Sequence, residues 1–462
     1  MSELPTVVVG AGPAGLATAA ELLERGLEPL VLEAGPGAGA AVAQWGQVRM
    51  FSPWAELVDP AAGRLLAGTR WQHPAADAYP TGAEWVEQYL KPLAEALGGR
   101  IRFGSRVVGV ARRGRDRVVD AGRDTEPLTV HVLSADGVEQ RITARALVDA
   151  SGTWGKPNPL GGDGLPAIGE ASAADRIVYR VPDLGDPVLI GRYAGKHVAV
   201  AGSGHSALTA LVVLAEFAEA HPGTRVSWVL RRGGVGNAFG GGSDDELPAR
   251  GALGLRAQAA VQAGRIRVVG GFRCTEVERT DSDLLTLVSD ADADADARAG
   301  NDVDAGAGAD VDAGVDAGAG VGARVEDVDE VIVLAGFRPD LSWLSELRLD
   351  LDPVLQAPTK LAPLIDPNVH SCGTVSPHGA AELAHPEPGV FLVGMKSYGR
   401  APTFLAMTGY EQVRSIAAKL AGDDAAAARV ELTLPDTGVC GGSGGFDDGA
   451  RILPLRGWSA AE

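Results

Sequence analysis

Cysteine is scarce: the 462 residues hold three, Cys274, Cys372 and Cys440. They are odd in number, widely separated and form no CxxC pair, which excludes a disulfide framework and any zinc or redox-dithiol site built from sequence neighbours. Lysine is scarce too, six of the 41 basic residues, a bias toward arginine that says nothing about function. No apolar run approaches the ~18 residues a membrane helix needs. The chain enters its first apolar run at Val7 without a basic segment or cleavable stretch before it, so no secretory signal is expected and the expected compartment is the cytoplasm. Positive charge is in deficit. The net charge of −19 argues against nucleic acid or an anionic membrane as partner. Most of that acidity is local, because Asp281–Glu330 holds 13 Asp and 2 Glu against 2 Arg, leaving −6 for the rest.

What is present is a 45% apolar, Ala- and Gly-rich composition, that of a globular α/β protein. The length fits about three domains or two large nucleotide-binding ones. The stretch Thr6–Glu33 organises the rest. Its apolar run Val7–Val9 leads into GAGPAG, then a helix-period pattern to Gly26, then a second apolar run ending at Glu33. That is a βαβ unit in which Gly10 makes the tight turn, Gly12 lets the backbone approach a pyrophosphate and Gly15 lets helix and strand pack closely. Glu33 stands where a carboxylate accepts ribose hydroxyls. Lys196–Arg232 repeats the plan, with Gly202, Gly204 and Ala207 in its turn and Arg231 and Arg232 in place of the acid. A carboxylate repels a ribose 2′-phosphate and paired guanidiniums bind one, so the first unit suits FAD or NAD and the second NADPH. The bland alternative for the arginines is a solvated strand end.

Between these anchors, QWGQVRMFSPW carries Trp45, Arg49 and Trp54 toward the carboxyl edge of a sheet, the tryptophans being either core or cofactor contacts. A helix is expected over Thr81–Leu97, with Thr81 as N-cap and Glu84 three residues on. Strands are expected at Arg106–Val110, Leu128–Leu133, Ile142–Ala150, Arg265–Val269 and Leu284–Ser289, and a helix at Pro248–Ala263. Asp290–Gly322, almost without large apolar side chains, is expected to be disordered, and its aspartates match no EF-hand order. Order resumes at VDEVIVLAGFRPD, followed by a Pro-rich irregular stretch from Leu341 to Pro367. Then come a strand ending at Gly394, a helix over about Thr403–Leu420 and a surface tail.

Two dinucleotide units, the first acidic and the second basic, resemble the two-dinucleotide-binding-domain flavoproteins, and within them the flavin-containing monooxygenase-like branch. The resemblance rests on GAGPAG with Glu33, DASGTW, GSGHSA with its arginines, VLAGFRPD and the closing VGMKSYGRAPTFLAMTGYEQ. It implies an α/β fold of two Rossmann-like, three-layer ββα domains. An NADPH domain (161–330, with the acidic insertion 290–322) is inserted into an FAD domain (1–160 and 331–430), and a tail occupies 431–462. It assigns FAD contacts to Gly10, Gly12, Pro13, Ala14, Gly15, Glu33, Trp45, Val107, Ser151, Gly152, Gly394, Met395 and Thr403. NADPH contacts fall to Gly202, Ser203, Gly204, His205, Ser206, Ala207, Arg231 and Arg232. The chain departs from the branch at three places: LPAIGEASAADR lacks the aromatic-Gly-His fingerprint, no asparagine precedes Asn158, and Met395 replaces the acid that commonly holds the ribityl chain.

The implied chemistry is hydride transfer from NADPH to FAD, whose anionic reduced ring needs a positive neighbour such as a helix N-terminus, Lys396 or Arg49. Lys396 otherwise points to solvent. Beyond that step three readings stand. The leading one is a monooxygenase using molecular oxygen, through an oxygenated flavin, on a small substrate with a soft nucleophilic nitrogen, sulfur or trivalent arsenic. The second is a reductase of a disulfide or other acceptor without CxxC, and the third an NADPH-sensing module. Cys372 clusters in sequence with His370, His378 and His385 and is either a thiol at the flavin edge or a buried small hydrophobe. No metal site is expected, and a homodimer is an open option.

Overall fold

The computed structural model describes residues 4–231, 235–240, 248–289, 323–369, 376–402 and 404–432. Its first half runs β1 (Thr6–Val9), α1 (Pro13–Glu24), β2 (Pro29–Leu32), β3 (Ile101–Arg102), β4 (Ser105–Arg112), β5 (Leu128–Ser134), β6 (Glu139–Ala144) and β7 (Ala146–Asp149). The second runs β8 (Ile177–Val178), β9 (His197–Ala201), α2 (His205–Ala220), β10 (Arg225–Val229), α3 (Pro248–Gln262), β11 (Arg267–Val269), β12 (Cys274–Arg279), β13 (Leu285–Ser289), β14 (Arg324–Val328) and β15 (Glu330–Val333). The chain then returns with β16 (Val390–Leu392) and α4 (Ala406–Ala421).

Two five-stranded parallel sheets result, β16-β7-β1-β2-β3 and β11-β10-β9-β15-β8. Each is covered on one face by helices and on the other by a three-stranded antiparallel sheet, β4-β5-β6 or β12-β13-β14. The short apolar runs follow from this layering, since a strand buried on both faces has no polar alternation to keep. Val8 of β1 faces the cluster built from α1 and α4, while Val7 and Val9 face Val107, Val130 and Val132 of the antiparallel layer. In β9, Val198 and Val200 face α2 while Ala199 and Ala201 face β12 and β13. This is the expected pair of three-layer units.

Ile142–Ala150 and the helix after Thr81 both differ from the sequence expectation. Ile142–Ala150 is not one strand: β6 ends at Ala144, Arg145 donates its N–H to Pro5 O at 3.0 Å, and β7 begins in the other sheet. The helix after Thr81 is present, with Thr81 and Glu84 in a reciprocal capping box, but it widens to a π-turn at Val86–Leu90. Pro92 has no N–H to give the Gln88 carbonyl four residues back. Trp71 Nε1 donates to that oxygen instead, at 2.6 Å.

The two halves are joined by the segments after β7 and after β15, which lie side by side. Asn158 N donates to Gly336 O at 2.9 Å and Asn158 Nδ2 to Ala335 O at 2.7 Å. The Trp154 and Phe337 rings pack with centroids 4.9 Å apart.

Candidate dinucleotide sites

Both glycine turns leave parallel strands at the carboxyl edge, where open α/β sheets bind ligands. Gly10 takes φ +101° and Gly202 φ +132°, values that L side chains rarely adopt. Any added Cβ would also sit 2.8 Å from Ala150 O or 2.3 Å from Leu334 O. Gly15 is needed for a different reason: a Cβ there would lie 1.9 Å from Gly10 O, so the first turn of α1 could not pack on the strand end. Gly12 and Gly204, by contrast, face open space, with nothing within 4 Å of a built Cβ. Each caps its helix without a side-chain hydrogen bond. The N-termini of two long helices therefore begin beside open space, the arrangement a pyrophosphate requires. These residues fit two dinucleotides. Pro13 and Ala14 begin α1, and Ser203, His205, Ser206 and the buried Ala207 complete the second turn.

Glu33 follows β2 and bridges two loops, its Oε2 accepting from Ala11 N and its Oε1 from Gly35 N, both at 2.6 Å. A carboxylate has about four lone-pair sites, so each oxygen retains acceptor capacity for a ribose hydroxyl. At the other unit, Arg231 is exposed beyond β10 and donates to Gly162 O at 3.2 Å, which leaves guanidinium N–H groups facing outward. Arg232, Cys372, His370 and Thr403 lie outside the described residues. The closing helix begins at Ala406 with Leu405 at its N-cap, later than expected, because the chain from Tyr398 to Ala401 is still turning.

Gly394 comes close to Ala14, a built Cβ lying 3.1 Å from the alanine methyl, which brings the end of β16 against the first phosphate turn. Met395 beside it is 37% exposed. The expectation that Lys396 might equally reach solvent is corrected: its side chain is 1% exposed and paired with Asp149, Nζ to Oδ2 at 2.7 Å. Nζ also donates to Ser151 Oγ at 2.9 Å and stands 4.8 Å from the centroid of the Trp343 ring. Burial is possible because the ammonium is met by a carboxylate, a hydroxyl and an aromatic face. Arg49 is exposed and donates to Tyr79 O. Trp54 is core at 3% exposure, and Trp45 is half-buried against Gly82. Val107 is core beneath β1, and Gly152 continues the turn after β7 at φ +68°.

Of the residues grouped in the sequence around Cys372, His378 and His385 are described and have different partners. His378 Nε2 accepts from Gln412 Nε2 at 2.8 Å, and its Nδ1 lies 3.0 Å from Ser376 O, so the ring is the Nδ1–H tautomer. Burial holds its pKa below the ordinary value. Gln412 also accepts from Gly394 N at 2.8 Å, so His378 steadies the end of β16 through Gln412. His385 accepts from Asp350 N instead, and burial pushes its pKa down to about 4. Cys274 is buried on β12, its thiol pushed up to about 12 by desolvation, far from reactive character. Asp149 and Phe51 were not singled out from sequence. The signal for Asp149 was available: a carboxylate ends an otherwise apolar buried strand.

The fold and paired phosphate turns define a two-domain flavoprotein of the dinucleotide-binding class. Residues 7–290, more than half of the chain, match the pyridine nucleotide-disulphide oxidoreductase family, and the chain belongs to it. FAD and NADPH are the cofactors of that family's members. Over 226 residues the chain is 29% identical to the ferredoxin–NADP reductase of Ignicoccus hospitalis, a match spanning 49% of this chain and about half the length of that relative, 56%. Among solved structures it is similar to the bacillithiol disulfide reductase of Bacillus cereus, with TM-score 0.61 and 19% identity over 91% of this chain and 99% of that one. It is also similar to the cadaverine monooxygenase of Erwinia amylovora, with TM-score 0.58 and 14% identity over 94% and 98%. At these identities the structural likeness is one of fold. No described helix is long and apolar enough to cross a membrane.

Proposed function

We propose that the chain is an NADPH-dependent flavin monooxygenase acting on a small substrate that offers a soft lone pair, on nitrogen, sulfur or trivalent arsenic. The observation that carries this reading is that the sequence holds no CxxC pair to pass electrons to a disulfide, its three cysteines, Cys274, Cys372 and Cys440, lying far apart. Beyond the first phosphate turn the carboxyl edge brings together Ser151, Met395 and the buried Lys396. When bound, FAD takes hydride from NADPH and passes two electrons to O2, so that one oxygen atom goes to the substrate lone pair and the other leaves as water.

The protein's part is to bind and orient. The N-terminus of α1 and Glu33 hold the FAD pyrophosphate and ribose, the N-terminus of α2 and Arg231 hold NADPH, and Met395 lines the mouth where the substrate enters. The cytoplasm is the compartment in which NADPH is supplied to such an enzyme. A second reading, direct reduction of an external acceptor, is favoured by the likeness to a ferredoxin–NADP reductase. The two separate on one experiment: NADPH oxidation by the yellow protein with and without O2, with peroxide and oxygenated product quantified. O2-dependent oxidation that becomes coupled to product on adding an amine, thioether or arsenite supports the monooxygenase. Rapid discharge by ferredoxin, quinone or disulfide with negligible O2 reaction overturns it.

A further inference from the structure

We propose that Asp149 and Lys396 are an opposed charge pair that sets the reduction potential of the flavin, with Lys396 the stabilising charge and Asp149 the positioning residue that limits it. The inference concerns flavin bound to this chain and holds whichever acceptor the reduced flavin serves, so it stands or falls separately from the monooxygenase reading.

The placement follows from the order of the sheet. In β16-β7-β1-β2-β3 all strands are parallel, so their carboxyl ends share one edge. The adenosine ribose belongs over β2, where Glu33 stands, and the pyrophosphate over β1, where Gly10 and Gly12 turn. A dinucleotide laid along that edge must put its other end over β7 and β16. Asp149 is the last residue of β7, and Lys396 lies in the turn that follows β16. Contact with the phosphate turn is direct: a Cβ built on Gly10 meets Ser151 Cα at 3.1 Å, and Ser151 is the hydroxyl that Lys396 holds.

A structural role alone is a weak account of this pair, because two fully buried charges lose solvation that their mutual attraction barely repays, and apolar replacements pack as well. Hydride transfer adds a hydride ion to the neutral oxidised ring and leaves one net negative charge there, while NADPH becomes NADP+. A fixed ammonium in a low-dielectric setting favours that charge, and a carboxylate 2.7 Å from it opposes it. Neutralising either member should therefore move the potential in opposite directions, which a purely structural contact would not do.

The test is potentiometric titration of the full-length holoprotein and of variants that keep hydrogen-bonding ability. Lys396→Gln should lower the flavin midpoint potential, Asp149→Asn should raise it, the double variant should return toward the parental value, and Lys396→Arg should leave it nearly unchanged. For any variant purified without flavin, the same shift is read anaerobically from its affinities for oxidised and chemically reduced FAD. A tenfold change in that ratio corresponds to about 30 mV for a two-electron couple. We expect changes of about tenfold or more, opposite in sign for the two single variants. Shifts of the same sign, or ratios and potentials that stay at the parental value, overturn the proposal and make the pair a scaffold.

Discussion

Phe51 stands edge-on to His205, their ring centroids 5.5 Å apart, and so joins a loop of the first half to the helix start of the second phosphate turn. The contact is reinforced by Gln47 Nε2, which donates to Val181 O at 2.8 Å, and by Val48, which packs on the same second-half core. The loop that sequence reading placed near the nucleotide thus reaches across to the other domain. Hydride transfer requires both cofactors in one register, and this contact is expected to help set it.

Phe51→Ala is expected to leave bound FAD unchanged and to slow anaerobic flavin reduction by NADPH, about tenfold if roughly 1.4 kcal/mol of register is lost. Stopped-flow absorbance at the flavin band measures it. An unchanged reduction rate would show that the aromatic contact does not set the register.

The two glycines of the first turn should fail differently. Gly15→Ala forces a methyl into Gly10 O and should lose both thermal stability and flavin. Gly12→Ala meets nothing within 4 Å in the protein, so its melting as apoprotein should match the parent while FAD binds at least about tenfold more weakly. Glu33→Ala should likewise be largely flavin-free, since it removes the ribose acceptor and releases the N–H groups of Ala11 and Gly35. Flavin content by absorbance and apoprotein melting distinguish these cases.

Arg231→Ala should lower kcat/KM for NADPH by roughly tenfold or more, the loss of about 1.5–3 kcal/mol for a charge-assisted hydrogen bond, with little change for NADH. If the NADPH/NADH ratio stays at the parental value, the 2′-phosphate is bound elsewhere.

Replacing residues 290–322 by Asn-Gly should preserve flavin content and NADPH oxidation. Ser289 N already donates to Ala323 O at 2.8 Å, and Val288 pairs with Arg324, so β13 and β14 end side by side at the excision point. A two-residue turn closes such an antiparallel pair. Loss of the folded state would give the segment a packing role.

Asp59 caps the helix Pro60–Ala67, its Oδ1 accepting from Ala62 N at 2.8 Å, yet burial pushes its pKa up to about 8, and nearby Glu21 is pushed up to about 7. A carboxyl that holds its proton longer when folded stabilises the fold fully below its unfolded pKa and loses that contribution as pH rises through the folded value. Stability should therefore fall between about pH 4 and 8, by up to about 1.4 kcal/mol per pH unit for each retained proton. Asp59→Asn keeps a good cap and should flatten that slope, so that it is more stable than the parent at pH 8 and close to it at pH 4. Urea denaturation across this range is the measurement; a parallel slope in the variant would remove Asp59 from the account.

The sequence by itself determined the two phosphate turns and the acid and the base that follow them, and the resemblance these carry implied the three-layer plan. These are local: a glycine that must take positive φ, a helix that must start at once, and a strand buried on both faces each leave a signature within about thirty residues. The capping box at Thr81 was legible for the same reason. Tertiary structure alone decided the rest. Nothing near Arg145 in the sequence announces that the chain changes sheets there, because the Pro5 carbonyl it bonds lies in another segment. Whether Lys396 was buried or reached solvent depended on Asp149, contributed by a strand far earlier in the chain. His378 and His385, close in sequence, found different partners in Gln412 and Asp350. A buried polar group must find a partner wherever the fold supplies one, and spacing along the chain carries no record of partners that only the packing of β7 against β16 brings together.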